Sequence, residues 1–498
     1  MKSAKTIAIL LALLLSANVI SCGYQTSASK TDTDSDLTTE PESTTEPVDP
    51  ASVLELPDSD FEGREFRVLG LFNSMYPQFD NFEIFSEGET GDIVNDAVFK
   101  RNTVIEDRYS VKITQTLVTS PAGEIRKNVT AGDDLYDLVF DTLSEMGSLA
   151  QNKYFVDLNG VKHIDFSKNW WNPEVNDTIS VMGRLYMTSS DFSLRDKSST
   201  WILVYNKKLA EDYSIPNLAD AVRDGSWTVD KMAGYVKETA ADLDGDGEMK
   251  PASDRWGLVM GARSSFPTFV VACENRFITK DKDDSLVLSM NTERISNSID
   301  KVLGLTSDLA NAFFCEDWQG KIDGDFWSAA SKTFYAGNAL FATSVPYGLK
   351  SYSANCDFDY GILPFPKYDE TQGKYYTLPD TTAHLFGIPV SCADPDFTGF
   401  MLEALSAGST DTTLEAYIET SCKTKYSYDK DSAEMFDTAM DGIIFEPSMI
   451  YGIGGLYEIL RNKITVARKN TFASAYASVE KSAKTALEKL TESFSEAE

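Results

Sequence analysis

The hydrophobic pattern predicts an α/β body that begins near residue 64. Segment Arg64–Phe72 has strand composition, with Phe66 and Val68 on one face. A helix is predicted next, because apolar residues recur at helical spacing over residues 94–105 and Asp92 is a suitable N-cap. The following stretches VKITQTLV and YDLVFDTL again have strand composition. Strands that alternate with helices predict a parallel sheet with right-handed crossovers.

A second amphipathic helix is predicted at the end of the chain, over TFASAYASVEKSAKTALEKLTESF. Its apolar residues repeat at helical spacing and form one face. That face consists of Tyr476, Val479, Ala483, Leu487 and Leu490. The pattern therefore predicts a terminal helix that packs against the body of the protein.

The N-terminus has the pattern of an export signal. Lys2 and Lys5 precede the apolar run Ile7–Leu15, which is too short to span a bilayer. The run ends at Val19-Ile20-Ser21-Cys22, and this sequence resembles the lipobox of bacterial lipoproteins. The resemblance implies cleavage after residues 1–21 and a lipid thioether on Cys22. The alternative is an ordinary signal peptide with an incidental cysteine.

Residues 22–60 are rich in Ser, Thr, Asp, Glu and Pro, as in TDTDSDLTTEPESTTEPVDP. Such a segment buries too little apolar surface to offset the entropy of its chain, so we expect a disordered tether. About 440 residues remain after it, which suffices for two domains. The sequence contains no run of 18 or more apolar residues, so no membrane-spanning helix is predicted.

Composition and charge exclude several classes of function. The formal net charge of −32 argues against nucleic-acid binding, because phosphates would be repelled. Beyond Cys22, five scattered cysteines form no C-x-x-C pair, so buried thiols are expected, with at most two disulfides. The sequence also lacks H-E-x-x-H, G-x-S-x-G and the P-loop motif. The sequence therefore gives no support for zinc-dependent hydrolysis, for a serine esterase with the common nucleophile elbow or for P-loop phosphate chemistry. No organic cofactor is expected.

Six further segments carry a resemblance to a known family. They are GDIVNDAVFKRNTVIEDRYSVKI, YDLVFDTLSEMGSLAQNKYFVDLN, GRLYMTSSDFSLRDKSSTWILVYNKKL, FYAGNALFATSVPYGLKSY, DYGILPFPKYD and TTAHLFGIPVSCADPDFTGFMLEAL. In this order and spacing they resemble family 1 extracellular solute-binding lipoproteins of bacterial ABC importers, which are related in architecture to maltose-binding protein. The match runs from about residue 63 to the C-terminus.

The resemblance implies an α/β fold of the periplasmic-binding-protein-like type II. Two discontinuous α/β lobes would be joined by hinge crossovers, with a ligand cleft between them. Lobe one is expected at 61–190 plus 383–440, and lobe two at 195–380 plus 445–498, with the terminal helix on lobe two.

The resemblance also implies a monomeric, non-enzymatic receptor. It would be lipid-anchored on the extracellular side of the cell membrane and would deliver a carbohydrate, expected to be an oligosaccharide, to ABC permease subunits. Its mechanism would be closure of the hinge around the ligand.

A sugar site needs flat aromatic faces and hydrogen-bonding carboxylates, and six residues are candidates. Of the pair Trp170-Trp171, we expect Trp171 to face the cleft and its neighbour to fill the core. The other candidates are Asp191 in the first crossover, Tyr186 just before it, Tyr347 where the resemblance implies a stacking aromatic, Asp380 at the second crossover, and Tyr451 beside hinge glycines at the third. For each residue, support of the fold or hinge is the alternative role.

The stretch DLDGDGEMKPASD begins like an EF-hand calcium loop. Asp242, Asp244 and Asp246 alternate before a glycine, as the first ligands of such a loop do. The twelfth position is Ser253 instead of glutamate, so Asp254 is the candidate replacement. A structural calcium ion is one interpretation, and a solvated acidic loop is the other.

Two other classes of function stay open on the sequence. A secreted glycan-active hydrolase would place two carboxylates across one cleft, and the many acidic residues permit such a pair. A surface interaction lipoprotein is the third possibility, although the sequence has no internal repeats to support it.

Overall fold

The computed structural model describes residues 56–73, 80–251, 253–322, 325–426 and 429–495, all within one structural unit. The predicted signal peptide, Cys22 and most of the tether lie outside the described residues. At the end of the tether range, Leu56 is partly buried against the hydrophobic core. Within the described part of the chain, no helix is both long and apolar enough to cross a membrane.

The described strands form two larger sheets and one hairpin. They are β1 (Arg64–Leu71), β2 (Val111–Val118), β3 (Leu138–Thr142), β4 (Ile202–Asn206), β5 (Trp256–Met260), β6 (Ile278–Lys280), β7 (Leu286–Leu288), β8 (Ala312–Phe314), β9 (Ala339–Ser344), β10 (Tyr360–Leu363) and β11 (His384–Gly387).

The first sheet has the strand order β11-β3-β1-β2. Strand β1 pairs in parallel with both β2 and β3, which confirms the parallel sheet that the sequence predicts. Strand β11 returns from later in the chain and pairs antiparallel to β3, with His384 opposite Thr142. These strands fall within residues 61–190 and 383–440. Their inward side chains, among them Phe66, Ile113 and Phe140, are fully buried.

The second sheet has the order β10-β4-β9-β5-β8. Strands β5, β8 and β9 run parallel to one another, whereas β4 is antiparallel to both of its neighbours, β9 and β10. All five strands fall within residues 195–380. Strands β6 and β7 form the separate antiparallel hairpin.

Helices cover these sheets. The α-helices of the described residues are α1 (Ile93–Tyr109), α2 (Pro121–Ala131), α3 (Leu143–Gln151), α4 (Pro173–Ile179), α5 (Arg195–Ser198), α6 (Lys207–Asp212), α7 (Leu218–Arg223), α8 (Val229–Thr239), α9 (Ala262–Ala272), α10 (Glu293–Thr306), α11 (Phe326–Tyr335), α12 (Leu349–Asn355), α13 (Pro395–Ser409), α14 (Lys430–Met440), α15 (Pro447–Ile450), α16 (Leu456–Glu458), α17 (Thr465–Ala467) and α18 (Phe472–Ser495). The described residues also contain the short 3₁₀ segments Leu158–Gly160, Cys315–Trp318 and Pro346–Gly348. Three π-helical segments are Thr410–Leu414, Ala416–Lys425 and Ile459–Ile464.

Both helices that the sequence predicts are confirmed. Helix α1 begins after Asp92, whose side chain accepts hydrogen bonds from the backbone N–H groups of Val94 and Asn95. Such a cap satisfies donors that have no partner within the first helical turn. Helix α18 buries the predicted face, and near its end the ring of Phe494 contacts the rings of both Tyr186 and Tyr451.

Segments 191–201 and 377–383 connect the strands of the first sheet to those of the second, and residues 443–456 form a third crossing segment beside them. The backbone N–H of Trp201 donates to the carbonyl of Leu378 at 3.0 Å, and the N–H of Ile444 donates to the carbonyl of Thr377 at 3.0 Å. The segments are therefore hydrogen-bonded to one another side by side. Residues on them meet in one place although they are far apart in sequence.

The five cysteines of the described residues are free, and four of them are buried. This confirms the expectation of buried thiols. Burial raises the pKa of Cys273, so its thiol stays protonated at neutral pH.

Candidate functional site

A cavity of about 440 Å³ opens where the crossing segments meet the second sheet. We call it the main cavity. It is lined by Arg195, Ser199, Trp201, Ser264, Asp325, Trp327, Ser331, Val345, Tyr347, Asp380, Thr381, Thr382 and Arg461.

Three aromatic side chains form walls of the main cavity. Trp201 directly precedes β4, and Trp327 lies in the first turn of α11, where Asp325 caps the helix. Tyr347 lies in the 3₁₀ turn that follows β9. The side chains of Trp327 and Tyr347 remain 37% and 41% exposed, whereas Trp201 is mostly buried. Large aromatic faces left open inside a cavity provide apolar contact area for a ligand.

Asp380 and Ser199 add polar groups from two crossing segments. The backbone N–H of Asp380 donates to the carbonyl of Ser199 at 2.8 Å, which holds the two residues together. Asp380 Oδ1 accepts from the N–H and the hydroxyl of Thr382. Among the described residues no hydrogen bond to Asp380 Oδ2 is found, so this oxygen is available to a ligand. Within the described residues the buried hydroxyl of Ser199 has no hydrogen-bond partner. Both groups can therefore bind hydroxyl groups of a ligand.

Arg195 brings a buried positive charge to the same cavity. Burial lowers the pKa of its guanidinium, and the carboxylate of Glu83 opposes this change. Glu83 is itself fully buried, and its burial raises the pKa of its carboxyl group. Buried charges require opposite charges nearby, and the Coulombic attraction between Glu83 and Arg195 favours the charged form of each.

Two smaller cavities adjoin the main cavity. One of about 230 Å³ shares with it the side chains of Trp201, Ser331, Trp327 and Val345. The other, of about 240 Å³, shares Tyr347 and lies between Tyr347, the start of α1 and the π-helical segment that ends at Lys425. We call the latter the side compartment. Aromatic residues thus stand at both borders of the main cavity.

Tyr347 and Asp380 are the predicted site residues that the structure brings together in the main cavity. Partial burial raises the pKa of the Tyr347 hydroxyl, which remains protonated and can donate a hydrogen bond at neutral pH.

Trp171 does not face this cavity, and that prediction is wrong. Its side chain is 2% exposed, and its indole N–H donates to Glu403 Oε2 at 3.0 Å. The ring also packs edge-on against Phe166, with ring centroids 5.1 Å apart. Trp170 donates to the other oxygen of Glu403 at 3.0 Å. Both tryptophans therefore surround a buried carboxylate in the core beside the first sheet.

Tyr186 and Tyr451 are also core residues, so their assignment to a ligand site is wrong. Both are nearly fully buried, and both pack edge-on against Phe494 of α18. The hydroxyl of Tyr451 donates to the carbonyl of Ile179. Their role is to dock the terminal helix, which is the alternative that the sequence left open.

Asp191 lies on the first crossing segment but does not line the main cavity. Its carboxylate accepts a 2.8 Å hydrogen bond from the hydroxyl of Thr410, at the end of α13. Burial raises the pKa of its carboxyl group, and the nearby ammonium of Lys197 opposes this. Asp191 therefore fixes the crossing segment to α13, which is the supporting role that the sequence left open, and its direct contact with a ligand stays a prediction.

Sequence reasoning missed Arg195, Trp201 and Trp327. A signal existed for Trp201, because it stands at the end of a predicted crossover and directly before the strand ILVYN. Arg195 gave a comparable signal, because it is a charged residue in the same crossover. The sequence gave no signal for Trp327, since DGDFWSAA looks like an ordinary helix start.

The acidic loop brings three of its four candidate ligands together. Carboxylate oxygens of Asp242, Asp244 and Asp246 lie within 4.8 Å of one another on the surface. Asp242 also accepts from the N–H groups of Gly245 and Gly247, and Lys250 forms an ion pair with Asp246. The three oxygens fit calcium, which prefers carboxylate ligands, although Lys250 competes for one of them.

Asp254 is not part of this group, so its prediction as the replacement ligand is wrong. It is fully buried, and its two carboxylate oxygens accept the N–H groups of Leu243 and Lys250 at 2.9 and 2.7 Å. Asp254 thus closes the base of the loop.

Comparisons with solved structures identify the fold. No protein-family model and no curated protein matches the sequence. The structure is similar to the galacto-N-biose-/lacto-N-biose I-binding protein of the ABC transporter from Bifidobacterium longum in complex with lacto-N-biose. That match has a TM-score of 0.58 and 12% identity over 87% of this chain and 98% of that chain.

Two further matches are comparable. The cyclic α-maltosyl-1,6-maltose binding protein from Arthrobacter globiformis gives a TM-score of 0.57 and 14% identity, over 85% of this chain and 99% of that chain. A cyclo/maltodextrin-binding protein complexed with maltotetraose gives a TM-score of 0.56 and 15% identity, over 88% of this chain and 99% of that chain. These likenesses confirm the predicted periplasmic-binding-protein-like type II fold.

Proposed function

We propose that this protein is a carbohydrate-binding receptor that delivers its ligand to an ABC importer. The observation that carries the proposal is the main cavity, where Trp327 and Tyr347 present open aromatic faces beside Asp380 and Ser199. Aromatic faces contact the apolar side of a sugar ring, and carboxylates and hydroxyls bind its rim. The three similar structures are binding proteins for saccharides, which supports the same class of ligand here.

Ligand capture would proceed by closure of the cleft. A small number of crossing segments can act as a hinge. In the third segment, Gly452, Gly454 and Gly455 have positive φ, a backbone conformation that other residues rarely adopt. A sugar that contacts both walls of the cleft binds the closed form more tightly than the open form. The ligand therefore shifts the population toward closure, and the closed form is what a permease would recognise.

The anchor is a separate part of the proposal. The lipobox-like sequence supports a lipid on Cys22, which would tether the protein, proposed as a monomer, to the extracellular face of the cell membrane. A Cys22→Ala variant of the full chain should be released from the membrane fraction and keep the sugar affinity of the parent. Quantitative retention of this variant in the membrane through its N-terminus would contradict the lipid anchor.

The function is tested by a thermal-shift screen against defined oligosaccharides. A ligand at 100 times its Kd adds about 2.7 kcal/mol to the free energy of unfolding, which a melting curve resolves well. A stabilising saccharide should also compact the protein in solution scattering, because the lobes close. Product formation from the same saccharide would favour the alternative, a glycan-active hydrolase. Stabilisation without turnover supports the receptor.

Calcium binding by the acidic loop is proposed independently of the sugar site. The close approach of Asp242, Asp244 and Asp246 supports it, and the ion would stabilise the loop without a part in ligand capture.

A further inference from the structure

Tyr347 stands between two cavities instead of at the end of one. Its side chain lines both the main cavity and the side compartment, and it is 41% exposed. If Tyr347 only closed the end of the main cavity, one face of its ring would pack against the protein. The ring instead borders a second cavity, which indicates that the space for a ligand continues past Tyr347.

The side compartment has the same kinds of side chain as the main cavity. Phe82 and Tyr426 are partly exposed rings, and Phe82 lies against Tyr417 with ring centroids 6.4 Å apart. The compartment is lined by Phe82, Asp92, Val94, Asn95, Pro346, Tyr347, Lys350, Tyr417, Ser421, Cys422 and Tyr426. It thus combines aromatic walls with a few polar groups, as a sugar-binding surface requires.

The compartment also draws on segments that are far apart in the chain. Phe82 and Asp92 precede and cap α1 beside the first sheet, whereas Lys350 follows the second sheet's strand β9. A ligand that fills it would contact both sides of the cleft, as in the main cavity. Closure of the cleft would then depend on occupancy of both cavities.

Opposite charges are balanced in each cavity. The main cavity carries Arg195 and Arg461 against Asp325 and Asp380. The side compartment carries Lys350 against Asp92. Neither cavity has an excess of positive charge that would select a carboxylate or a phosphate on the ligand.

From these observations we infer that the site takes a neutral oligosaccharide whose chain passes Tyr347 and places a sugar ring in the side compartment. The inference rests on the proposed carbohydrate function and adds to it the charge of the ligand and a minimum chain length. Phe82 and Lys350 then determine the preference for longer chains, through a ring contact and a hydrogen bond to hydroxyls.

Calorimetry on a panel of mono- to hexasaccharides tests the inference. The probes are neutral glucans, galactosides and xylans, each with a matched oligomer that contains uronate. For the neutral series that binds, affinity should rise roughly tenfold or more once the chain is long enough to pass Tyr347, which corresponds to one well-made ring contact. Phe82→Ala should remove most of this gain, and Lys350→Met should remove part of it. Lys350 is exposed, so its variant keeps the fold even if Phe82→Ala lowers stability.

Trp327→Ala is the matched control, because Trp327 lines the main cavity and not the side compartment. It should weaken the binding of every chain length by a similar factor. Equal affinity for short and long chains, an unchanged gain in both variants, or a preference for uronates would overturn the inference and leave the carbohydrate function intact. Failure of every saccharide to bind would instead refute the carbohydrate function itself, and with it the inference.

Discussion

Trp171 and Glu403, 232 residues apart in sequence, are joined by a 3.0 Å hydrogen bond from the indole N–H to the buried carboxylate. Trp170 donates to the other carboxylate oxygen, and the backbone N–H of Asp165 also donates to Glu403. The pair of tryptophans in NWWNP is therefore explained by a buried acid that needs donors. Exposed aromatic faces for a ligand come from Trp327 and Tyr347 instead.

Glu403 predicts a pH dependence of stability. Burial raises the pKa of its carboxyl group from an ordinary 4.5 to about 7, although three hydrogen bonds oppose this change. A group with a higher pKa in the folded protein stabilises the fold below its unfolded pKa, and this stability is lost as the pH rises through about 7. For Glu403 the loss is on the order of 3 kcal/mol.

The measurement is urea unfolding of the parent and of Glu403→Gln at pH 5 and pH 8. The amide cannot ionise, so the decrease in unfolding free energy between the two pH values should be smaller in the variant. Glu446, whose pKa burial also raises to about 7, remains in both proteins and contributes to the residual slope, together with Asp141, whose pKa burial raises to about 6, and with Glu83. Equal slopes in parent and variant would contradict the raised pKa of Glu403.

Substitution of the core tryptophan should change the stability of the protein, whereas substitution of the cavity tryptophan should change its ligand affinity. Trp171→Phe keeps most of the apolar volume but removes one donor to a buried carboxylate, so it should lower the unfolding free energy by about 1–3 kcal/mol. Its ligand affinity should be unchanged. Trp327→Ala, on a partly exposed residue, should lower ligand affinity with little effect on stability. Paired unfolding and binding measurements test this, and a loss of affinity in Trp171→Phe would restore it as a ligand residue.

The acidic loop gives a metal-dependent prediction. If Asp242, Asp244 and Asp246 hold calcium, removal of calcium by a chelator should lower the melting temperature of the protein. Asp244→Ala should abolish this response. Glu248→Ala is the matched control, because it removes the same charge from the same loop outside the three-carboxylate group and should respond as the parent does. Identical melting of calcium-loaded parent with and without chelator would leave only a solvated loop.

The sequence predicted those parts of the fold that depend on local patterns. Strand β2 has the predicted bounds, and α1 starts at the predicted cap, because periodicity and N-capping act within a few residues. The crossover position of Asp380 was also predictable, since it lies between recognisable strands.

The orientation of single aromatic residues was not predictable in the same way. Nothing near Trp171 in the sequence indicates that Glu403 will lie against it, and nothing near Trp327 indicates that α11 faces the cleft. Tyr451 was misassigned because its neighbouring glycines do suit a hinge, whereas its own ring is covered by Phe494 of the last helix. Which side of a segment is buried depends on contacts hundreds of residues away.

The most direct prediction for the proposed function concerns Tyr347. Its ring lines two adjoining cavities and its hydroxyl is protonated at neutral pH, so it can contact a sugar by its face and donate a hydrogen bond. Tyr347→Ala should weaken saccharide binding by on the order of 1–3 kcal/mol, as the loss of a central aromatic anchor does. Because the side chain is 41% exposed, the melting temperature without ligand should change little.

Tyr347→Phe separates the contribution of the ring from that of the hydroxyl, since it keeps the ring and removes only the hydroxyl. Calorimetry with a saccharide that stabilises the parent should give the order parent, Phe variant, Ala variant in decreasing affinity. An Ala variant that binds as tightly as the parent would show that the ligand does not contact Tyr347, and would remove the main support for a sugar in this cleft.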